Sequence, residues 1–216
     1  MKNSLELIFH ELYRKFGPQY WWPAESPFEV IVGAILTQST NWGNVERAIT
    51  NLKSKGLLSP KRLYNLPIKK LALAIRSSGY YNIKARRLKE FLRFFLRSYR
   101  GDIKKISKEK LDVLRKKLLL IKGIGEETAD SILLYALNKP IFVIDAYTLR
   151  ILCRHGILKK DTSYEDAQSL FMRSLKIEAK MFNEYHALLV RLAKDYCLKS
   201  NPRCEICPLR NKKFYF

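Results

Sequence analysis

Apolar residues return at helical spacing along almost the whole chain, and this regularity limits the fold more than any single motif does. Leu5, Ile8, Leu12 and Phe16 form one stripe; Phe28, Ile31, Val32 and Ile35 form a second, opening after Pro27; Val45, Ala48, Ile49 and Leu52 form a third. A helix repeats a side-chain direction about every 3.6 residues, so such stripes mark helices with one buried face. The same spacing predicts helices over 68–77 (closed by Gly79), 84–98, 108–120, 126–137, 146–153, 164–175 and 180–193. Pro60, Pro67, Gly101, Asn138 with Pro140, and Gly156 punctuate the chain. The only β-like run is "IFVID", with no second run to pair with it. The expected fold class is all-α.

Composition narrows the partners. The 216 residues are 47% hydrophobic, enough for a sizeable core in one or two domains. Lys and Arg outnumber Asp and Glu by 41 to 20, a net charge of +21. Such a surplus points to a polyanion, nucleic acid before membrane, because neutralising phosphates releases condensed counterions. The plainer reading of the same charge is a solubilising lysine-rich surface. No apolar run approaches the ~20 residues of a membrane span. The first residues, "MKNSLELIFHELYRKFG", carry charges at helical spacing and no small-residue cleavage site. An intracellular protein of the cytoplasm or nucleoid is expected. Three of the four cysteines crowd the C-terminus, a pattern closer to metal binding than to a disulfide framework.

Several stretches carry candidate chemistry. "LLLIKGIGEETADSILLYAL" reads as a helix, a tight turn and a second helix. Ser107 is a plausible N-cap for the first, on which Leu111, Leu114 and Leu118 stack. Gly123 and Gly125 bracket Ile124, and glycines there permit positive φ and close approach to the backbone. The first amides of the second helix lack intrahelical partners and can hold a phosphate. Glu126 and Glu127 suit the helix dipole, yet they put carboxylates beside an anion-holding turn. In "VIDAYTLRILCR", Asp145 is either the N-cap of the helix starting at Ala146 or a functional carboxylate. Trp21, Trp22 (followed by Pro23) and Trp42 lie within 22 residues, as core or as stacking surfaces. Cys197-x6-Cys204-x2-Cys207 has metal-ligand spacing.

Taken together and in this order, these stretches resemble the endonuclease III superfamily of DNA glycosylases, the helix–hairpin–helix "GPD" class. "FEVIVGAILTQSTNW" resembles that family's early helix, with Gln38 where a residue fills the gap left by an extracted nucleotide. "GYYNIKARRL" resembles its second probing loop, with Tyr80 as the wedge and Lys84 in a basic cluster able to meet phosphate. Lys122, Gly123, Ile124, Gly125 and Arg150 complete the DNA contacts that the resemblance implies. It also implies two helical lobes: a six-helix domain over 23–137, and a second lobe of 1–22 with 138–216. Asp145 would sit in the cleft between them, facing a nucleotide swung out of double-stranded DNA with a damaged base. The family precedent is a monomer.

The resemblance also sets the reaction. Bifunctional members use a lysine near the start of the hairpin's second helix to form a Schiff base; this chain has Glu127 there. A carboxylate cannot form an imine, so plain hydrolysis is expected, with Asp145 stabilising the cationic sugar and orienting or deprotonating water. Lys122 belongs to the turn rather than to the nucleophile's position. Tryptophan faces suit a cationic base, so Trp21, Trp22, Pro23, Trp42 and Glu127 are expected to line the pocket of a 3-methyladenine glycosylase. An adenine-mismatch enzyme would need a glutamate one turn before Gln38, where Gly33 and Ala34 stand; a mismatch-thymine enzyme stays open. The alternatives are a bifunctional glycosylase/lyase and a non-catalytic DNA-binding module. "CLKSNPRCEIC" supplies three of the four ligands of the family's 4Fe–4S cluster, but Lys213 replaces the fourth, leaving the cluster an open expectation. Cys153 reads as a buried apolar residue. His10, His155 and His186 show no metal spacing and carry no assigned role.

Overall fold

The computed structural model describes residues 4–21 and 24–210. They are helical throughout, with no strand among them, and fall into two compact units, 24–139 and 1–23 with 140–216. No helix is long and apolar enough to cross a membrane.

The unit 24–139 is built around α2 (Pro27–Leu36), whose residues from Phe28 to Leu36 are all buried. A helix apolar on every side belongs in a core, not on a surface. Ser26 caps it by accepting from Glu29 N at 3.2 Å, and Pro27 opens its first turn. The buried Glu29 carboxylate is met by Lys53 at 2.8 Å from α3 (Trp42–Ser54). Then come α4 (Pro60–Asn65) and α5 (Ile68–Ala74). The long α6 (Tyr81–Tyr99) turns Ala85, Leu88, Phe91, Leu92 and Phe95 inward. α7 (Ile103–Ser107), α8 (Leu111–Leu119) and α9 (Glu126–Ser131) close the unit, α9 running on into a wider π turn, Ile132–Ala136.

Local chemistry moved some expected boundaries. Pro60, read as a break, opens α4 behind the cap Ser59. The helix expected over 108–120 is α8, starting at Leu111, and a separate short helix, α7, precedes it. Arg100 and Gly101, both at positive φ, end α6, and Asp102 caps α7 through Lys104 N at 2.8 Å. Ser107 is therefore no N-cap; it ends α7 and its hydroxyl donates to Lys104 O at 3.0 Å.

Three lysines of this unit point their ammonium groups at leftover carbonyls near helix ends. Lys84 donates to Leu36 O (2.8 Å) and Ser78 O (2.5 Å); Lys89 donates to Tyr64 O and to Leu66 O (2.5 Å); Lys139 donates to Ser107 O (3.1 Å) and Glu109 O (2.5 Å). Final-turn carbonyls have no intrahelical donor and sit at the negative end of the dipole, so a cation suits them. Lys84 is only 1% exposed, and burial, with Arg87 nearby, lowers its pKa to about 8. The expectation that Lys84 meets DNA phosphate is corrected: its charge is committed inside the protein.

In the other unit α12 (Ala179–Asp195) is central and buries Phe182, Tyr185, Leu188, Leu189 and Leu192. α1 (Ser4–Phe16) lays Leu5, Ile8 and Leu12 against it, and the Tyr185 hydroxyl donates to Leu5 O at 2.8 Å. α10 (Ala146–Arg154) and α11 (Tyr164–Ser174) complete the packing. The β-like run is a buried extended segment. Phe142 stacks on Phe171 with centroids 3.8 Å apart and meets Phe182 and Tyr185 edge-on. Side chains replace a partner strand: Gln168 donates to Phe142 O at 2.6 Å, and Ile144 N donates to the Tyr164 hydroxyl at 3.4 Å. This buried run delivers Asp145 to the start of α10.

Replacing Lys84 by Met strands two buried carbonyls. The variant should lose about 2 kcal/mol or more in denaturant unfolding, and unchanged stability would contradict the structural role of that ammonium.

Candidate functional site

The hairpin is tied together by charge. Arg115 of α8 donates to both oxygens of Asp130 on α9, at 2.7 and 3.1 Å, and Asp130 has no exposed surface. Glu126 joins the same guanidinium at 3.6 Å. The first of the two glutamates beside the turn therefore serves the hairpin's own scaffold. Glu127 is exposed, and so is Lys122.

Gly123 has φ +89, and a Cβ there would lie 2.5 Å from Arg87 Cγ. Both conformation and space demand glycine. Gly125 differs from expectation: its φ is −94, an extended conformation open to any residue, and a Cβ would meet nothing within 4 Å. What Gly125 leaves is an open backbone ahead of the first amides of α9. Ile124 is buried at 4% exposure, so the hairpin offers a ligand its backbone and not that side chain.

Gln38, just past α2, is joined to this turn. Its Nε2 donates to Gly123 O at 3.0 Å and to Thr128 Oγ1 at 2.9 Å, while Arg87 donates to its Oε1 at 2.5 Å. Tyr80 is 69% exposed on left-handed backbone (φ 46, ψ 30) at the start of α6, the posture of a ring pushed outward. Trp42 is half-buried at the first position of α3.

In the unit with α10, Asp145 is both cap and ionised carboxylate. Its Oδ1 accepts from Thr148 N at 2.7 Å, and its Oδ2 faces His186 Nε2 of α12 at 3.5 Å. The Asp145 and His186 side chains are 13% and 7% exposed. Burial works to raise the Asp145 pKa, but His186 and the donors of Thr148 outweigh it, and the net shift is downward. His186 was given no role from sequence. It stands 41 positions from Asp145 inside an apolar helix, and no local spacing marks the pairing.

Arg150, expected to meet DNA, is engaged internally. It donates to Cys197 O at 2.9 Å and Ala193 O at 3.2 Å and lies over the Tyr147 ring. Arg154 reaches Leu198 O (2.6 Å), Lys199 O (2.9 Å) and Cys197 Sγ (3.3 Å). Two arginines of α10 thus pin the cysteine segment. Burial, with Cys197 and Cys204 nearby, pushes the Cys207 thiol up. Among the described residues no three His, Cys, Asp or Glu side chains gather as a metal site requires. Cys197, Cys204 and Cys207 supply three thiolates, one short of a four-thiolate cluster, and Lys213 lies outside the described residues. Cys153, read as buried, is half-exposed and donates to Lys159 O at 3.4 Å. Trp21 is half-buried in the unit with α10, with Lys194 Nζ 5.9 Å above its ring. Trp22 and Pro23 lie outside the described residues.

A Gln-latched helical hairpin and an ionised aspartate capping a helix after a buried run define a helix–hairpin–helix repair protein. The chain belongs to the HhH-GPD superfamily of base excision DNA repair proteins, whose family pattern matches residues 32–176. The "Putative DNA repair glycosylase MJ1434" of Methanocaldococcus jannaschii is 43% identical over 215 residues, covering 97% of this chain and 96% of that protein. The crystal structure of the H. pylori 3-methyladenine DNA glycosylase MagIII bound to 1,N6-ethenoadenine is similar, with a TM-score of 0.74 and 28% identity. That match covers 89% of this chain and 97% of MagIII. A non-covalent endonuclease III–DNA complex shares the fold, with a TM-score of 0.82 and 22% identity over 97% of this chain and 93% of that one.

Two measurements probe this geometry. Gly123→Ala should cost about 1–3 kcal/mol in denaturant unfolding, through strained backbone and the Arg87 clash, while Gly125→Ala stays within about 0.5 kcal/mol; equal effects would contradict the difference between the two glycines. Asp145→Asn keeps the cap and removes the charge. Because the folded carboxyl titrates below its ordinary 3.8, wild type should hold a stability margin over Asp145→Asn above that pH. The margin should close as pH falls through the lower folded value, and urea unfolding as a function of pH reads it; a margin that widens in acid would reverse the sign of the shift.

Proposed function

We propose that this protein is a DNA glycosylase that hydrolyses the N-glycosidic bond of a damaged base in double-stranded DNA and leaves the strand uncut. The preferred lesion is an alkylated base of the 3-methyladenine kind. The observation that carries this reading is the residue pair Asp145 and Glu127: an ionised, low-pKa carboxylate at the helix start, and an exposed carboxylate where the resemblance places a lysine nucleophile.

The chemistry follows from residue type. As the C1′–N bond lengthens, its electron pair leaves with the base and positive charge develops on the sugar. A carboxylate kept ionised by its surroundings stabilises that charge and orients the attacking water. A base alkylated at ring nitrogen is already cationic, so it needs little acid assistance to depart. Glu127 can supply no imine, so the product is an intact strand with an abasic site. Backbone amides ahead of α9, with the open face of Gly125, suit a phosphate; Gln38 and Tyr80 suit the space and the stack left by an everted nucleotide. MagIII, at 28% identity, is named for 3-methyladenine, which favours the alkylated-base reading over a mismatch one. The reaction needs no cofactor and one protein chain.

The test is chromatographic base release from a panel of lesion-containing duplexes, wild type against Asp145→Asn. The methylated duplex should release 3-methyladenine with wild type, and the variant should be slower by about 100-fold or more. Release of a different base while 3-methyladenine stays attached would overturn the substrate; full activity of Asp145→Asn would overturn the mechanism.

A further inference from the structure

We propose that His186 is a positioning residue for Asp145: from α12 it faces the carboxylate oxygen that the helix cap leaves over and sets the orientation in which that carboxylate meets the sugar. This rests on the glycosylase reading above and adds a residue to it.

An N-cap needs one oxygen. Oδ1 of Asp145 already serves, taking the Thr148 amide at 2.7 Å. Oδ2 could turn freely were it not faced by His186 Nε2 at 3.5 Å, in a place where both side chains are largely withdrawn from water. The two contacts lie on different helices, α10 and α12, so together they fix the plane of the carboxylate. The plainer account makes His186 a filler of the aromatic layer, where Phe142 meets its ring edge-on at 6.4 Å. A leucine or phenylalanine would fill that layer without burying a titratable ring. What speaks for positioning is the place of Nε2, 3.5 Å from the carboxylate oxygen not used by the cap.

Asp145 is the charged group facing the ring from α10. The basic residues of that helix, Arg150 and Arg154, reach carbonyls of residues 193–199 instead. Tyr185, the ionisable neighbour on α12, donates to Leu5 O, and α1, packed on the same helix, turns Leu5, Ile8 and Leu12 toward it.

The experiment compares wild type, His186→Gln and His186→Phe in single-turnover base release from a duplex treated with a methylating agent. Affinity for the same duplex and the NMR signals of the His186 ring are recorded alongside. His186→Phe should release base about 10- to 100-fold more slowly with DNA affinity little changed. His186→Gln keeps a donor, so it should recover most of the rate. Wild-type rate in both variants would overturn the proposal, and so would a His186→Gln variant that folds and binds the duplex yet stays about 10-fold slower or more. The NMR signals separate this from the glycosylase reading. Asp145→Asn should move the His186 ring resonances, whether or not wild type releases any base. Unchanged resonances overturn the pairing itself, whereas an inactive wild type with moved resonances overturns only the reaction assigned to it.

Discussion

The hairpin depends on one buried ion pair. Asp130 is fully enclosed and ionisable, and the fork of Arg115 makes its burial tolerable by meeting both oxygens. Removing Arg115 would leave the buried Asp130 charge uncompensated, typically a loss of about 3–5 kcal/mol. Glu126 adds a second carboxylate to the same cation. Gln38, just past α2, and Arg87, in the second turn of α6, then fasten the turn to those helices. Four helices are thereby tied to six residues of turn, which keeps the backbone of residues 123–125 in one shape. A backbone that must present amides to a phosphate needs that rigidity, since it has no side chain with which to adapt.

The basic surplus has more than one use. A net charge of +21 suggests a polyanionic partner, but many of the cations are internal fittings. Lys84, Lys89 and Lys139 complete carbonyls near helix ends, Arg115 serves Asp130, and Arg150 and Arg154 hold the segment around Cys197. These cations stand in for caps that neutral residues supply elsewhere. Lys122 remains exposed beside the turn, on a surface free to attract phosphate.

Much of the architecture was legible in the chain because helical stripes are local. The stripes of α1, α2 and α3 needed only spacing, and so did the turn between α8 and α9. Caps were harder to read. Pro60 reads as a break, yet Ser59 before it caps α4, and Ser107 reads as the cap of the helix that follows, yet it ends α7, which Asp102 caps just after the left-handed turn at Arg100 and Gly101. Lys84 and Arg150 look like any other surface cation in sequence. Only distant carbonyls, at Leu36 and Ser78 for one and at Ala193 and Cys197 for the other, decide that they turn inward. The pairing of Asp145 with His186 is of the same kind. Its partners are fixed by how α10 packs on α12, which no local pattern encodes.

The central chemical claim is that the chain carries hydrolysis on a carboxylate and has no amine nucleophile at the start of α9. The most direct measurement is denaturing electrophoresis of a lesion-containing duplex after reaction, with and without hot alkali. The account predicts a full-length strand that breaks only on alkali treatment. Breakage without alkali, accompanied by a borohydride-trapped protein–DNA adduct, would contradict it.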